Sequence, residues 1–165
     1  MLRKKFGMST KKILFTTLAR IDDVSESGIY SDLISKFVSE GYGVTIICPI
    51  ERRYGFNSRI IHSNGVKIIQ VKSLNIQKTN IFEKILGTFL IEFLFIISFL
   101  KNAKKESFDL GLFTTPPIFI TNFLKVLSYK GVKVKYLLLK DIFPQNALDL
   151  NMTSRYSPFY FYSRY

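Results

Sequence analysis

Short runs of β-branched and aromatic residues alternate along this chain with segments whose apolar residues recur at helical spacing. That alternation restricts it to βαβ units built around a parallel sheet. "KILFTT" (12–17) predicts a first strand, and Ile29, Leu33, Ile34, Phe37 and Val38 then follow at the spacing of one helix face, closed by "EGYG" (40–43). "VTIICP" (44–49) predicts a second strand stopped by Pro49, and "GVKIIQV" (65–71) a third whose Lys67 and Gln70 suggest a more exposed position. "LGLFTTPP" (110–117) predicts a fourth strand, "IFITNFLKVLSY" (118–129) an apolar helix, and "YKGVKVKYLLLKD" (129–141) a fifth strand, expected to be buried. The expected fold class is α/β, a Rossmann-like open parallel sheet with helices on both faces. With 165 residues and no repeat, low-complexity tract or linker, residues 1–165 read as a single domain.

The segment "IFEKILGTFLIEFLFIISFLKNAKK" (81–105) has the length of a helix, and from Ile85 to Leu100 its one charge is Glu92. A stretch interrupted by a carboxylate falls short of the roughly 18–20 apolar residues that span a bilayer. Two readings stay open, a buried core helix and a helix partly sunk into a membrane surface. In the second, Phe93, Phe95 and Phe99 contact lipid, and Lys101, Lys104 and Lys105 meet anionic headgroups. Those lysines equally suit a helix C-terminus.

Composition bears on the choice of partner. Hydrophobic residues make up 47% of the chain and aromatics 15%, with 16 Phe and 9 Tyr, which predicts that some apolar surface stays exposed. The formal charge of +12 favours an anionic partner such as phospholipid, a phosphorylated metabolite or nucleic acid. No RNA-binding or helix-turn-helix motif accompanies the charge, so nucleic acid is not expected. The single cysteine, Cys48, excludes an intrachain disulfide framework and a cysteine-rich zinc site. The basic N-terminus lacks an apolar core of the roughly 7–15 residues that a secretion signal needs, and the cytosol is the simplest compartment.

In doubly wound sheets ligands bind beyond the carboxyl ends of the strands, so the residues just after each strand are the candidates. After the first strand, Ser27 and Gly28 can offer backbone N–H groups to a phosphate at the start of the helix. The spacing is not that of a dinucleotide fingerprint, and Ser25 or Ser27 equally serves as a helix cap. After the fourth strand, Thr114 and Thr115 supply hydroxyls ahead of two prolines. After the fifth, Asp141 supplies a carboxylate, or simply a turn residue. His62 has no second ligand at metal spacing, so no metal is expected. Cys48 reads as packing, and "ERRYGFNSR" (51–59) as a solvated loop or a phosphate contact.

Taken together, "SGIYSDLISKFVSEGYGVTIICP", "LFTTPPIF" and "LLLKDIFPQNALDL" resemble the N-terminal domain of group 4 glycosyltransferases of the GT-B fold. Among these, the WbuB-like transferases of bacterial O-antigen and capsule synthesis are the nearest in pattern, and the resemblance runs from Lys12 onward. "TTPPIF" is similar to the family's Ser/Thr-Pro-Pro segment and "KDIFPQNALDL" to its Asp-(Ile/Leu)-(Trp/Phe)-Pro segment. The resemblance implies transfer of a sugar from a nucleotide-sugar to an acceptor, often a polyprenyl-diphosphate-linked saccharide at the cytoplasmic membrane face, with no dedicated metal or other cofactor. It implies that this domain holds the acceptor, and that Ser27, Gly28 and Asp141 face an interdomain cleft. The family commonly has paired glycines where this chain has Ser27 and Gly28.

The family also continues into a donor-binding domain that this sequence does not contain, and six of its last ten residues are aromatic. The expectation is therefore an acceptor-side domain, inactive alone, with no catalytic residue assigned. The alternatives are a membrane-docked subunit of a split enzyme whose donor domain is a separate chain, and a fragment left by a frameshift. The expected location is peripheral, on the inner face of the cell membrane.

Overall fold

A computed structural model describes residues 11–76, 78–114 and 120–139. Its elements run β1 (Lys12–Thr16), α1 (Ile29–Ser39), β2 (Gly43–Glu51), a single 3-10 turn (Arg52–Tyr54), β3 (Arg59–Ser63), β4 (Val66–Ser73), α2 (Ile81–Asn102), β5 (Leu110–Thr114), α3 (Thr121–Tyr129) and β6 (Val134–Leu138). The chain is α/β, with one six-stranded sheet in the order β3-β4-β2-β1-β5-β6. Every adjacent pair is parallel except β3 with β4. Along the five parallel strands the chain winds outward in one direction from β1 to β4, then returns and winds outward from β5 to β6. The order therefore reverses between β1 and β5.

Residues two apart along a buried strand face opposite helical layers from their neighbours, and both layers are apolar. On one face Ile13, Phe15, Ile46, Cys48 and Ile68 pack against α1 through Ile34. On the other, Leu14, Ile47, Ile69 and Phe113 pack against α2 and α3. Five of the sixteen phenylalanines, Phe95, Phe99, Phe108, Phe113 and Phe123, lie in this second cluster. The ring of Phe123 on α3 lies 5.8 Å from that of Phe99, 6.3 Å from Phe95 and 6.4 Å from Phe113, each edge to face. Such pairs add about 0.5–1.5 kcal/mol beyond the burial itself.

Two expectations about exposure are overturned. The strand carrying Lys67 and Gln70 is interior, because antiparallel β3 covers its outer edge. Its polar residues are cross-links. Lys67 Nζ donates to the Asn102 carbonyl at the end of α2 and to Glu106, both at 2.7 Å. Gln70, at 0% exposure, donates to the loop that follows β1. The run expected to open as a buried strand is instead the edge strand β6. There Val134, Tyr136 and Leu137 are exposed, since no described element covers their faces. The antiparallel strand β3 was not anticipated at all.

Candidate functional site

β1 and β5 both end in the same three letters, "LFT" at 14–16 and at 112–114, and in the sequence a second threonine follows each. They are hydrogen-bonded neighbours, with Thr16 opposite Phe113, so these ends meet where the strand order reverses. At such a reversal the connections leave in opposite directions, which is where doubly wound sheets bind their ligands. The two strand ends are joined there by a pair of buried hydroxyls, with Thr114 Oγ1 donating to Thr17 Oγ1 at 3.0 Å. Thr17 Oγ1 also accepts the Ala19 N–H at 3.1 Å, which starts the loop over the sheet edge. The Thr16 hydroxyl, buried on the opposite face, has no hydrogen-bond partner among the described residues.

The loop from Thr17 to Gly28 is fixed by side chains from distant strands. The Ile21 carbonyl accepts Gln70 Nε2 at 2.8 Å and the Cys48 thiol at 3.7 Å. Asp22 accepts Gln70 Nε2 at 2.7 Å and pairs with Arg20 at 2.7 Å and Arg59 at 3.5 Å. Asp23 accepts the Ser25 hydroxyl at 2.6 Å, the Ser25 N–H at 2.9 Å and the Ser63 hydroxyl. The hydroxyls of Ser25 and Ser63, with the Ser25 N–H, hold its carboxyl at about 2. Ser63 Oγ in turn accepts the Val24 N–H, and Ser35 donates to the Val24 carbonyl, each at 3.3 Å. A loop of this length would otherwise be free to move; here β3 and β4 clamp it.

Of the residues expected to bind substrate, Ser27 is exposed and Gly28 is the residue that opens α1. Neither Ser25 nor Ser27 caps that helix, since Ser25 is turned back onto Asp23. Asp32 in the first turn reaches back instead, accepting the Gly28 N–H at 3.4 Å. That carboxylate disfavours an anion at the helix start. Thr114 is buried between the two strand ends rather than projecting from them. Thr115 and Asp141 lie outside the described residues.

The expected lipid contacts divide between the two sides of α2. Phe95 and Phe99 are 1% exposed and belong to the core, whereas Phe93 is 56% exposed. The two buried rings sit two and six positions from Phe93, on the opposite side of a 3.6-residue turn. The outward face carries Phe82, Leu86, Leu90, Phe93 and Ile97, and Lys101 continues the same row, followed by exposed Lys104 and Lys105. A groove of about 440 Å³ separates this helix from the β3–β4 edge, lined by Ile60, Leu94, Ile97 and Lys101 among others. Among the described residues no helix is long and apolar enough to cross a membrane.

Sequence reasoning missed Thr17, Gln70 and Arg20, and flagged Arg59 only as the end of a stretch, 51–59, read as a solvated loop or a phosphate contact. The doubled "LFTT" was the available signal for Thr17, and a glutamine within an apolar strand was the signal for Gln70. Burial pushes the Cys48 thiol up to about 12, which leaves it no nucleophile. No cluster of metal-ligating side chains occurs among the described residues. The edge thus offers hydroxyls, guanidinium groups and engaged carboxylates, a set suited to binding rather than to proton transfer. Comparison with family models, curated proteins and solved structures returned no match.

Proposed function

We propose that this chain is the acceptor-side domain of a glycosyltransferase, holding a lipid-linked saccharide while a nucleotide-sugar is delivered by a donor-binding partner domain. The observation that carries this reading is the reversal of strand order between β1 and β5, where Thr17 and Thr114 meet at the carboxyl edge of a doubly wound sheet. The sequence resemblance to group 4 glycosyltransferases supplies the reaction. The outward face of α2, apolar along its length and basic at its end, supports peripheral attachment to an anionic membrane on the cytoplasmic side. No metal enters the reading.

The test is binding of a short-chain polyprenyl-diphosphate saccharide, followed by saturation-transfer NMR. The expected result is saturable binding by the chain alone, with no sugar transfer when nucleotide-sugars are added. Gly28→Val is the informative variant. Its added Cβ meets nothing closer than Ser31 Oγ at 3.9 Å, so the fold has room for the first side-chain carbon at the position that the resemblance turns toward the acceptor. Acceptor binding equal in Gly28→Val and wild type, or transfer by the chain alone, would overturn the reading.

A second reading, a non-catalytic subunit that recruits a separate donor-binding chain, is favoured by β6. Its exposed Val134, Tyr136, Leu137 and Leu139 form an apolar sheet edge of the kind that proteins normally cover. Co-purification of a donor-domain chain from the native cell would select it.

A further inference from the structure

We propose that the same sheet edge carries a second binding station, a shelf of Arg20, Arg59, Tyr54 and Phe56 that takes the phosphate of a sugar phosphate. The guanidinium of Arg20 lies 4.1 Å over the ring of Tyr54, and that of Arg59 lies 4.2 Å over the ring of Phe56. Stacking fixes the planes of the two forks but leaves their in-plane N–H groups available. One carboxylate, Asp22, serves both forks, so the cluster keeps an unneutralised positive charge. Arg59 spends its Nε on Gln70 at 2.7 Å, while the buried Nε of Arg20 meets Asp22 as an ion pair and has no hydrogen-bond partner among the described residues. Planar donors with spare N–H groups match the oxygens of a phosphate.

The aromatic rings point to what accompanies the phosphate. Tyr54 is 47% and Phe56 42% exposed, and neither belongs to a core cluster. The turn that presents them is held rigidly. Gly55 takes a left-handed conformation between them, and its N–H donates to the Arg52 carbonyl at 3.0 Å. Asn75 Oδ1 accepts the Arg53 N–H at 3.1 Å, Asn57 Oδ1 accepts Lys72 Nζ at 3.0 Å, and Ser58 Oγ accepts the Lys72 N–H at 2.8 Å. Half-exposed rings held in place on a rigid turn give a flat apolar surface to the face of a sugar ring at little ordering cost.

Position links the shelf to the strand-order reversal. Gln70, which Arg59 grips, pairs in register with Cys48, one residue beyond the Ile47 that lies opposite Thr16. Gln70 and Thr17 therefore share a row, two strand spacings or about 10 Å apart. In the absence of a ligand Asp22 stands where the phosphate goes, and it is exposed enough to be displaced.

Calorimetric titration with inorganic pyrophosphate, glucose 1-phosphate and glucose tests the proposal, with folding of each variant checked by circular dichroism. Arg20→Lys keeps the charge and loses the fork, and is expected to weaken both phosphates about tenfold. Asp22→Asn removes the competitor and is expected to tighten both. Tyr54→Ala is expected to weaken glucose 1-phosphate and leave pyrophosphate unchanged, and glucose alone should not bind measurably. Lys133→Ala, at an exposed lysine, controls for the overall positive charge. If Arg20→Lys behaves like Lys133→Ala, or if Asp22→Asn weakens binding, the shelf is not a phosphate site. The Nε–H resonances of Arg20 and Arg59 in the unaltered protein give a second readout, and no shift with either phosphate overturns the proposal. None of these probes is a lipid-linked acceptor, so the outcome is independent of the acceptor experiment.

Discussion

Glu92, in the middle of α2, caps α3 through Asn122. Its Oε1 accepts the backbone N–H groups of Asn122 at 2.5 Å and Phe123 at 3.0 Å, and its Oε2 accepts Asn122 Nδ2 at 3.0 Å. The first N–H groups of a helix lack intrahelical partners, and α3 has no side-chain cap of its own. A carboxylate borrowed from the neighbouring helix satisfies them and complements the helix dipole. The lone charge in an otherwise apolar run is therefore a bond between two helices on one face of the sheet, and it lies beside the Phe95–Phe123 contact.

Replacing Glu92 with leucine separates this role from that of a tolerated polar residue in a greasy helix. Glu92 is 5% exposed, so Glu92→Leu strands the buried N–H of Phe123 and the partly buried N–H of Asn122 at a cost of about 1–3 kcal/mol. Urea denaturation should show a lower midpoint with an unchanged slope. A gain in stability would mean that the cap contributes nothing.

The parallel strands were legible because burial on both faces writes a continuous apolar run, and because the glycines at 41 and 43 punctuate the chain. Pro49 misled: it was expected to stop the second strand, yet β2 runs through it to Glu51, with Pro49 opposite Val71 in the sheet. β3 was not, because its "RIIHS" is short and sits at an edge where Ile60 and His62 point to solvent. The exposure of β4 was misjudged for a different reason. A lysine or glutamine in a strand looks like surface until its partner is known, and the groups to which Lys67 and Gln70 donate lie 35 or more residues away in sequence. The site was half legible. Thr114 was visible as a strand end, whereas Thr17, Arg20 and Arg59 become a site only once the strand order brings them to one edge.

The two sides of α2 should respond oppositely to polar substitution. Phe99→Ala empties a core position and should cost about 3–5 kcal/mol, whereas Phe93→Ser and Ile97→Ser should each change stability by less than about 0.5 kcal/mol. Flotation with anionic vesicles should fall in the double variant of Phe93 and Ile97 and in the triple Lys101, Lys104 and Lys105 alanine variant. Unchanged flotation in both would leave the membrane reading without a surface.

Acid should weaken the loop after β1 through Asp23. Its carboxyl is held at about 2 in the folded protein, below its ordinary value of 3.8, by the hydroxyls of Ser25 and Ser63 and the Ser25 N–H. The ionised form is thus favoured by folding; its contribution is complete above about pH 4 and is lost as the pH falls toward 2. Glu83, lowered mainly by the Thr79 hydroxyl and the Asn75 N–H, contributes with the same sign. Melting temperature followed from pH 5 to pH 2 should drop less steeply in Asp23→Asn than in the unaltered protein. Parallel curves would show that the Ser63 contact does not clamp the loop.

Cys48 provides a clock for the opening of that loop. The thiol is 0% exposed, donates to the Ile21 carbonyl and is pushed up to about 12 by burial, so at pH 8 roughly one molecule in 10⁴ carries the thiolate. Alkylation then requires an opening, either global unfolding or release of residues 18–24 alone. The Gln70 amide holds the same carbonyl and Asp22, and Gln70→Leu removes both bonds while keeping an apolar side chain in the strand. If the loop opens on its own, iodoacetamide labelling should quicken about tenfold in Gln70→Leu, and by more than the change in global stability accounts for. If labelling in both proteins only tracks the denaturation midpoint, the loop and the sheet open together. The carboxyl edge would then be a rigid platform to which ligands bind without prior opening. Fast labelling of the unaltered protein would contradict the burial of Cys48 itself.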